Sequence, residues 1–442
     1  MKLNKKMKLK NPYIIIISSF LIFLIIGTLL LYMPFSQKQS TSFVDCLFIA
    51  TSAFTVTGLA TIDITQHFNY VGYTIIMLLV QAGGLGIITL AMIVFIMLGK
   101  KVGFKGRSLA TEALNQQNTG GIIKLVLILF FISLIFESIG AALLALEWVP
   151  ALGLKQGLFH SIFTAVSAFN NAGFALHSDN LVQFQTNPII NFIVTSLIII
   201  GGIGFTVILD LYKTKQYKHL RVHTKVMLFG TLLINTFATV TIYLLEFNNK
   251  ATLGGHSPFD QFQMSYFQAI TTRTAGFNTI DIGHLTTPTI LIMMLLMFIG
   301  GGPTSTAGGI KLTTTVVILF GTLSFIKQRE HLSLFKRTID PRFLFKSLAV
   351  AVLSSGFCFS ITFGLVLAEP DLPFLPLMFE VISAFGTVGL TMGITVKLSV
   401  IGKLLIVLMM MIGKVGVLTI VLTFSKPNKQ LYSYPKEDIL TG

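Results

Sequence analysis

The sequence predicts an all-α membrane protein in which four span–pore-helix–span repeats surround one central pore. Three observations lead there. Hydrophobic residues make up 53% of the chain and charged residues only 11%. Lys and Arg gather in clusters that alternate with long apolar stretches. Two glycine-marked segments recur four times at nearly constant spacing.

A soluble domain usually carries about 25% charged residues, because even a large core needs a charged shell. A bilayer as solvent removes that need. The formal net charge of +15 could indicate nucleic acid. Its distribution argues against such a partner. Of the 32 basic residues, 24 lie in five clusters: 2–10, 100–124, 213–225, 327–346 and 426–436. Few lie in the connections between, among them Lys38, Lys155, Lys250, Arg273 and Lys397. This alternation follows the positive-inside rule and places both termini in the cytoplasm of a multi-pass protein of the cell membrane. Cys46 and Cys358 are too few for a disulfide framework or a cysteine-rich metal site. The apolar run after Pro12 is too long for a signal peptide and is read as a retained first span.

Eight apolar stretches are long enough to cross a bilayer at ~20 residues each. They cover 12–33, 72–99, 121–146, 189–212, 224–246, 288–326, 343–368 and 400–424. Between the members of each pair lies a shorter, semi-polar segment, as expected of a re-entrant helix. The four read Ser52-Ala53-Phe54-Thr55-Val56-Thr57-Gly58, Ser167-Ala168-Phe169-Asn170-Asn171-Ala172-Gly173, Ile270-Thr271-Thr272-Arg273-Thr274-Ala275-Gly276 and Ser383-Ala384-Phe385-Gly386-Thr387-Val388-Gly389. Their final glycines are 115, 103 and 113 residues apart. A second glycine cluster follows each, at Gly83, Gly201, Gly300 and Gly413, at offsets of 25, 28, 24 and 24 residues. The units are therefore 12–99, 121–212, 224–326 and 343–424, with a tail at 425–442.

Four copies of one unit can surround an axis. Non-helical backbone at membrane depth is tolerated only where it is buried or lines a cavity. A ring of backbone carbonyls can replace the hydration shell of potassium. Glycine suits the turning point because it accepts positive φ, leaving its carbonyl free to face the axis. One glycine turn alone would more readily be a tight loop; four equivalent ones point to a filter. The sixth stretch carries Gly300, Gly301, Gly302, Pro303, Thr304, Ser305, Thr306, Ala307, Gly308 and Gly309. Glycine costs ~1 kcal/mol and proline ~3 kcal/mol within a helix, so this span breaks into two half-helices joined by a loop. The loop is expected to block the ion path below the filter, with Lys414 adding an electrostatic barrier. The alternative is a plain kink, with Lys414 bonded to loop carbonyls. Arg273, just before the third filter glycine, needs a partner at this depth. Glu380 or Asp281 is the expected one, forming a pair that braces the filter.

Other chemistries lack their residues. Gly202-Ile203-Gly204 lies inside an apolar span, without the strand that a dinucleotide site needs. Gly309-Ile310-Lys311-Leu312 lacks the Gly-Lys-Ser/Thr order of a phosphate loop. The eight histidines form no metal motif, and no Gly-x-Ser-x-Gly elbow occurs. Glu137 stands alone in its span, read as a hydrogen-bonding group in preference to a proton relay. No motif calls for a bound cofactor, and no enzyme is expected.

The runs at 168–174, 273–278 and 384–391, with the four glycine segments, resemble the Trk/Ktr/HKT superfamily of cation transporters across essentially the whole chain. With no further spans before the first unit, the chain is similar to the membrane subunits of bacterial Ktr systems. The resemblance implies a potassium filter at Thr57–Gly58, Ala172–Gly173, Ala275–Gly276 and Val388–Gly389. Some sodium-selective relatives carry serine at the first glycine, so Gly58 implies potassium. It also implies a homodimer with one pore per subunit, held partly by the 425–442 tail. A cytoplasmic ring of nucleotide-binding regulatory subunits, encoded elsewhere, is the implied partner. At 414 the family usually has arginine; lysine lacks its planar five-donor fork.

Overall fold

In the computed structural model the described parts of the apolar stretches are mostly helical. Residues 12–86 and 120–424 are described, with scattered positions between 87 and 119 and beyond 424. The basic residues at 2–10 and 426–436, most of the 100–119 connection and most of the tail lie outside the described residues.

The first unit comprises α1 (Pro12–Tyr32), α2 (Phe43–Thr55) and α3 (Tyr70–Leu85). The second has α4 (Ile122–Leu152), α5 (Leu154–Phe169), α6 (Pro188–Gly202) and α7 (Phe205–Lys213). The third has α8 (Val222–Glu246), α9 (Pro258–Thr271), α10 (Thr287–Phe298) and α11 (Leu312–Ile326). The fourth has α12 (Pro341–Ala368), α13 (Phe374–Gly386), α14 (Val400–Val415) and α15 (Val417–Phe424). A small hairpin, β1 (Ser333–Leu334) with β2 (Arg337–Thr338), sits in the basic connection between the last two units.

The outer helices α1, α4, α8 and α12 are each long and apolar enough to cross a membrane. Their outward faces remain apolar: Ile22, Phe131, Leu232 and Phe359 are more than half exposed. That pattern suits lipid as the surrounding medium, where apolar side chains need no burial against protein. The short helices α2, α5, α9 and α13 run 13 to 16 residues, about 20–24 Å, less than the roughly 30 Å of a bilayer's hydrocarbon core. Local sequence sets their starts. Ser42 accepts from the Asp45 amide at 3.1 Å and Ser257 from the Asp260 amide at 3.2 Å. Both are serine caps with an acidic residue three positions on, which favours the helix N-terminus. Their C-terminal halves are almost entirely buried.

Packing between units is cyclic. Pore helix α5 lies against α3 of the unit before it, α9 against α6, α13 against α10, and α2 against α14 of the last unit. The junction of first and last units also carries an ion pair, Lys403 Nζ to Asp45 Oδ1 at 2.7 Å, between residues that are both largely buried. Thr61 donates to the same carboxylate at 2.8 Å.

The inner spans depart from the sequence expectation. The stretches 189–212 and 400–424 read as single spans, but each is bent sharply, by 89° between α6 and α7 and by 96° between α14 and α15. The bends fall at Gly204 (φ 103°) and Gly416 (φ 90°). Hydropathy hides them because the residues on both sides are apolar. The break expected in 288–326 is present: α10 ends at Phe298 and α11 begins at Leu312.

Candidate functional site

Each pore helix ends in the same backbone device. The residue two before the filter glycine is left-handed: Val56 (φ 60°), Asn171 (φ 59°), Thr274 (φ 68°) and Thr387 (φ 49°). Left-handed geometry is unfavourable for such side chains, at about 1–2 kcal/mol. It turns the chain so that the next amide points back into its own helix. Thr57 N donates to Ser52 O at 2.8 Å, Ala172 N to Ser167 O at 2.7 Å, Ala275 N to Thr271 O at 3.0 Å and Val388 N to Ser383 O at 2.8 Å. In the first and fourth units the serine hydroxyl also takes the glycine amide, at 3.0 Å for Gly58 and 3.1 Å for Gly389. With the amides satisfied inward, the carbonyls of Thr57, Ala172, Ala275 and Val388 accept no hydrogen bond from the described residues.

The four glycines then close a ring. All have positive φ: 96° at Gly58, 68° at Gly173, 76° at Gly276 and 93° at Gly389. A Cβ at Gly58 would stand 2.5 Å from the Ala172 carbonyl oxygen, and one at Gly173 would stand 2.7 Å from that of Ala275. Gly276 lies closer still to the Val388 carbonyl, and Gly389 to that of Thr57. Each glycine therefore leaves room for the carbonyl of the next unit, in chain order, until the last meets the first.

Below the ring, three units share a second pattern. Phe54, Phe169 and Phe385 are buried and lie on other phenyl rings: Phe54 on Phe20 at 4.8 Å, Phe169 on Phe136 at 6.2 Å and Phe385 on Phe298 at 5.5 Å. The first glycine of each inner cluster, Gly83, Gly201 and Gly413, sits where a Cβ would strike the carbonyls of these phenylalanines. The third unit has Thr272 at the equivalent position, and a loop instead of a bend.

That loop, Ile299–Lys311, is tied down on both sides. Ile299 and Ile310 form its base, with Gly300 N donating to Ile310 O at 2.8 Å and Leu312 N to Gly301 O at 3.0 Å. On one side it bonds to the α6–α7 bend: Gly302 N donates to Gly202 O at 2.9 Å and Phe205 N to Thr304 O at 3.0 Å. On the other, a Cβ at Gly308 would collide with the Thr387 side chain, directly under the fourth filter segment. Lys414 Nζ donates to Thr306 O at 2.7 Å and Lys311 Nζ to Ala307 O at 2.6 Å. Lys414 is thus a tether to the loop, the alternative role weighed from the sequence. Lys311, read only as a failed phosphate-loop position, is its counterpart. The sequence offers a bond from Lys414 to the loop carbonyls as one reading, but it does not single out Thr306, 108 residues away.

The expected Arg273–Glu380 pair is not formed, nor does Arg273 pair with Asp281. Arg273 donates to Asn235 Oδ1 on α8 at 3.2 Å. Glu380 accepts from Thr391 Oγ1 at 2.8 Å and from Thr395 Oγ1, pinning the loop that leaves the fourth filter segment. Two hydroxyls in its own unit satisfy the carboxylate locally, so it has no need of the neighbouring unit's cation. Asp281 caps the turn at Gly283 and pairs with His284 at 3.0 Å. Glu137 accepts from Asn170 Nδ2 at 3.0 Å, and the same amide donates to Gln81 at 2.8 Å. Its hydrogen-bonding role thus fits the geometry. Asn170 and Arg273 occupy equivalent positions, three before their filter glycines, and each reaches the outer helix of its own unit.

Four pore helices closing one carbonyl ring within long lipid-facing helices define the class: a polytopic, all-α, transport-type membrane protein. Residues 1–434 match the family model described as TrkH, cation transport protein. The chain is 46% identical over 441 residues to the Ktr system potassium uptake protein B of Bacillus subtilis, covering 100% of this chain and 99% of that one. It is 41% identical to the Ktr system potassium uptake protein B of Vibrio alginolyticus, covering 97% and 94%. The crystal structure of the potassium transporter TrkH from Vibrio parahaemolyticus has the same fold, with a TM-score of 0.76 at 19% identity over 96% of this chain and 87% of that one. The chain belongs to the TrkH family of cation transport proteins, a family of transporters and not of enzymes.

Proposed function

We propose that this chain carries potassium ions across the cell membrane along the axis enclosed by Gly58, Gly173, Gly276 and Gly389. The closed ring of four outward-unsatisfied carbonyls carries the reading. Those of Thr57, Ala172, Ala275 and Val388 take the place of the water that a potassium ion sheds, as in carbonyl-lined filters. The relatives named as potassium uptake proteins support that choice of ion. The loop 300–309, directly below Thr387, is the gate, with Lys311 and Lys414 tethering it. Glu380 supports the filter through Thr391 and Thr395; Arg273 supports the third filter segment through Asn235.

The four units 12–99, 121–212, 224–326 and 343–424 form one pore, and two such chains associate, in part through the 425–442 tail. Both termini face the cytoplasm of a bacterial cell, following the basic clusters. The relatives are components of Ktr systems, and the partner is a cytoplasmic ring of nucleotide-binding subunits that moves the loop. The test is ion flux into liposomes holding the purified protein, with sodium as competitor. Potassium entry that sodium does not displace is expected. Equal entry of both ions, or none beyond protein-free liposomes, overturns the reading.

A further inference from the structure

The carbonyls of the filter glycines follow those of Thr57, Ala172, Ala275 and Val388 along the chain and make a second layer. In three units this layer is free: the oxygens of Gly58, Gly276 and Gly389 accept no hydrogen bond from the described residues. The second unit differs. Asn180 Nδ2 donates to the Gly173 oxygen at 3.0 Å.

The fold holds Asn180 in place for that contact. It lies in the connection between α5 and α6, seven residues beyond Gly173, with a left-handed backbone (φ 62°) that asparagine tolerates better than most residues. Its own amide donates to His177 O at 3.1 Å, closing a turn. His177 is wedged among Trp148, His160 and Phe184, with ring centroids 5.6, 5.0 and 5.2 Å away. On the other side, the amide of the fully buried Leu181 donates to Asn278 O at 3.2 Å, and Asn278 N donates to Asn180 Oδ1 at 3.4 Å. The carboxamide is thereby oriented, with its oxygen toward the third unit and its nitrogen toward the second filter glycine. Seven residues beyond the other filter glycines stand Thr65, Gly283 and Val396. Thr65 Oγ1 donates to Asp63 at 2.6 Å, and the other two have no side-chain donor.

A carbonyl oxygen has two lone pairs, so accepting one N–H leaves the other. The positive end of that N–H nevertheless stands beside the oxygen and opposes a cation approaching the same atom. The bond also limits how far the carbonyl can turn. A cation in the glycine layer therefore meets three unshared oxygens and one that is shared.

We propose that Asn180 is a positioning residue of the filter, which weakens the glycine layer on the side of the second unit. This rests on the filter reading above. It makes the layer of Thr57, Ala172, Ala275 and Val388 the tight site, where all four oxygens are unshared. The glycine layer is the looser one, in which the ion keeps water on one side. A filter conducts only if its sites bind well enough to admit an ion and weakly enough to release it.

The test is the concentration dependence of potassium uptake into liposomes holding the full-length purified protein. Asn180→Gly removes the carboxamide and suits the left-handed backbone. Asn180→Asp keeps the size and the acceptor for Asn278 but loses the donor. Both should lower the half-saturating potassium concentration by about threefold or more and lower the maximal rate, as a tightened site requires. In crystals soaked in rubidium, the anomalous peak of the glycine layer should be the weaker of the two, and in Asn180→Gly it should approach the other. An Asn180→Gly protein with unchanged half-saturation overturns the proposal. So does one whose uptake falls at unchanged half-saturation together with its melting temperature, which marks a role in folding alone. If neither variant folds, the rubidium peaks of the unsubstituted protein decide, and equal peaks overturn the proposal. An unsubstituted protein that carries no potassium overturns the filter reading and this inference with it. Selective uptake that both variants reproduce unchanged overturns this inference alone.

Discussion

The third unit and the other three solve one problem in two ways. In the first, second and fourth units a buried phenylalanine is the last or next-to-last residue of the short helix, and a glycine of the inner helix packs on its carbonyl. In the second and fourth the inner helix then bends over one or two residues, at Ile203–Gly204 or at Gly416. The third unit has Thr272 for the phenylalanine, Arg273 after it, and thirteen residues of loop in place of the bend, from Ile299 to Lys311. Yet its filter glycine keeps the same positive φ and the same fit to the next carbonyl as the rest. The ring is fourfold in geometry, and the layer beneath it is threefold plus one. On the proposed function, selectivity demands equivalence from every unit, whereas control needs only one unit to differ.

The largest effect should come from breaking the equivalence. Gly276→Ala and Gly389→Ala each place a Cβ against a neighbouring carbonyl at positive φ, and both should abolish potassium uptake, read as lost growth at low potassium with protein still in the membrane. Gly58→Ser should keep some flux while losing discrimination against sodium by about tenfold or more, worth ~1.4 kcal/mol, in a two-ion liposome assay. A folded Gly58→Ser protein with unchanged preference would remove the filter from this site.

Shortening the loop between Gly301 and Gly308 should affect only control. Flux without the cytoplasmic partner is expected to rise several-fold, and ion preference should stay as it was. Flux at the original level, with the protein intact by size-exclusion chromatography, would mean that the loop is not the gate.

Stability should divide the units the same way. Phe54→Ala, Phe169→Ala and Phe385→Ala each empty a packed aromatic site and should cost about 3–5 kcal/mol, whereas Thr272→Ala should cost about 1 kcal/mol. Denaturation in detergent would measure this, and equal costs would mean that the phenylalanines do not define the difference. The smallest effect expected is at Lys414. Lys414→Met should raise partner-free flux by about twofold through loss of one charged hydrogen bond, while Lys414→Arg should restore the tether. If Met and Arg behave alike, the tether does not hold the loop.

Much of this was legible in the sequence, for a definite reason. Repeats at a fixed period mark equivalent positions, so the four glycines and the broken sixth stretch were readable without any partner being known. The bends at Gly204 and Gly416 were not, since apolar residues continue through them. The partners of Arg273 and Glu380 were hidden because a charged group pairs with whatever the fold brings near. Asn235 for Arg273, and Thr391 and Thr395 for Glu380, are neutral groups that charge matching does not suggest. The Lys403–Asp45 pair joins residues 358 apart, which only the closing of the ring brings together.

That closing has a consequence for how the molecule comes into being. The filter glycine of the last unit rests on Thr57 of the first, so the circle has no final joint until residue 389 is in place. The four left-handed turns are held by amides that bond back to their own helices, but each following glycine meets its neighbouring carbonyl only when the next unit is present. A chain that still lacks its fourth unit can make two of the ring's four contacts, Gly58 on Ala172 and Gly173 on Ala275, and lacks the two that Val388 and Gly389 supply. On the proposed function, the cell is spared a leak during manufacture, because the aperture closes only when the last unit joins the first.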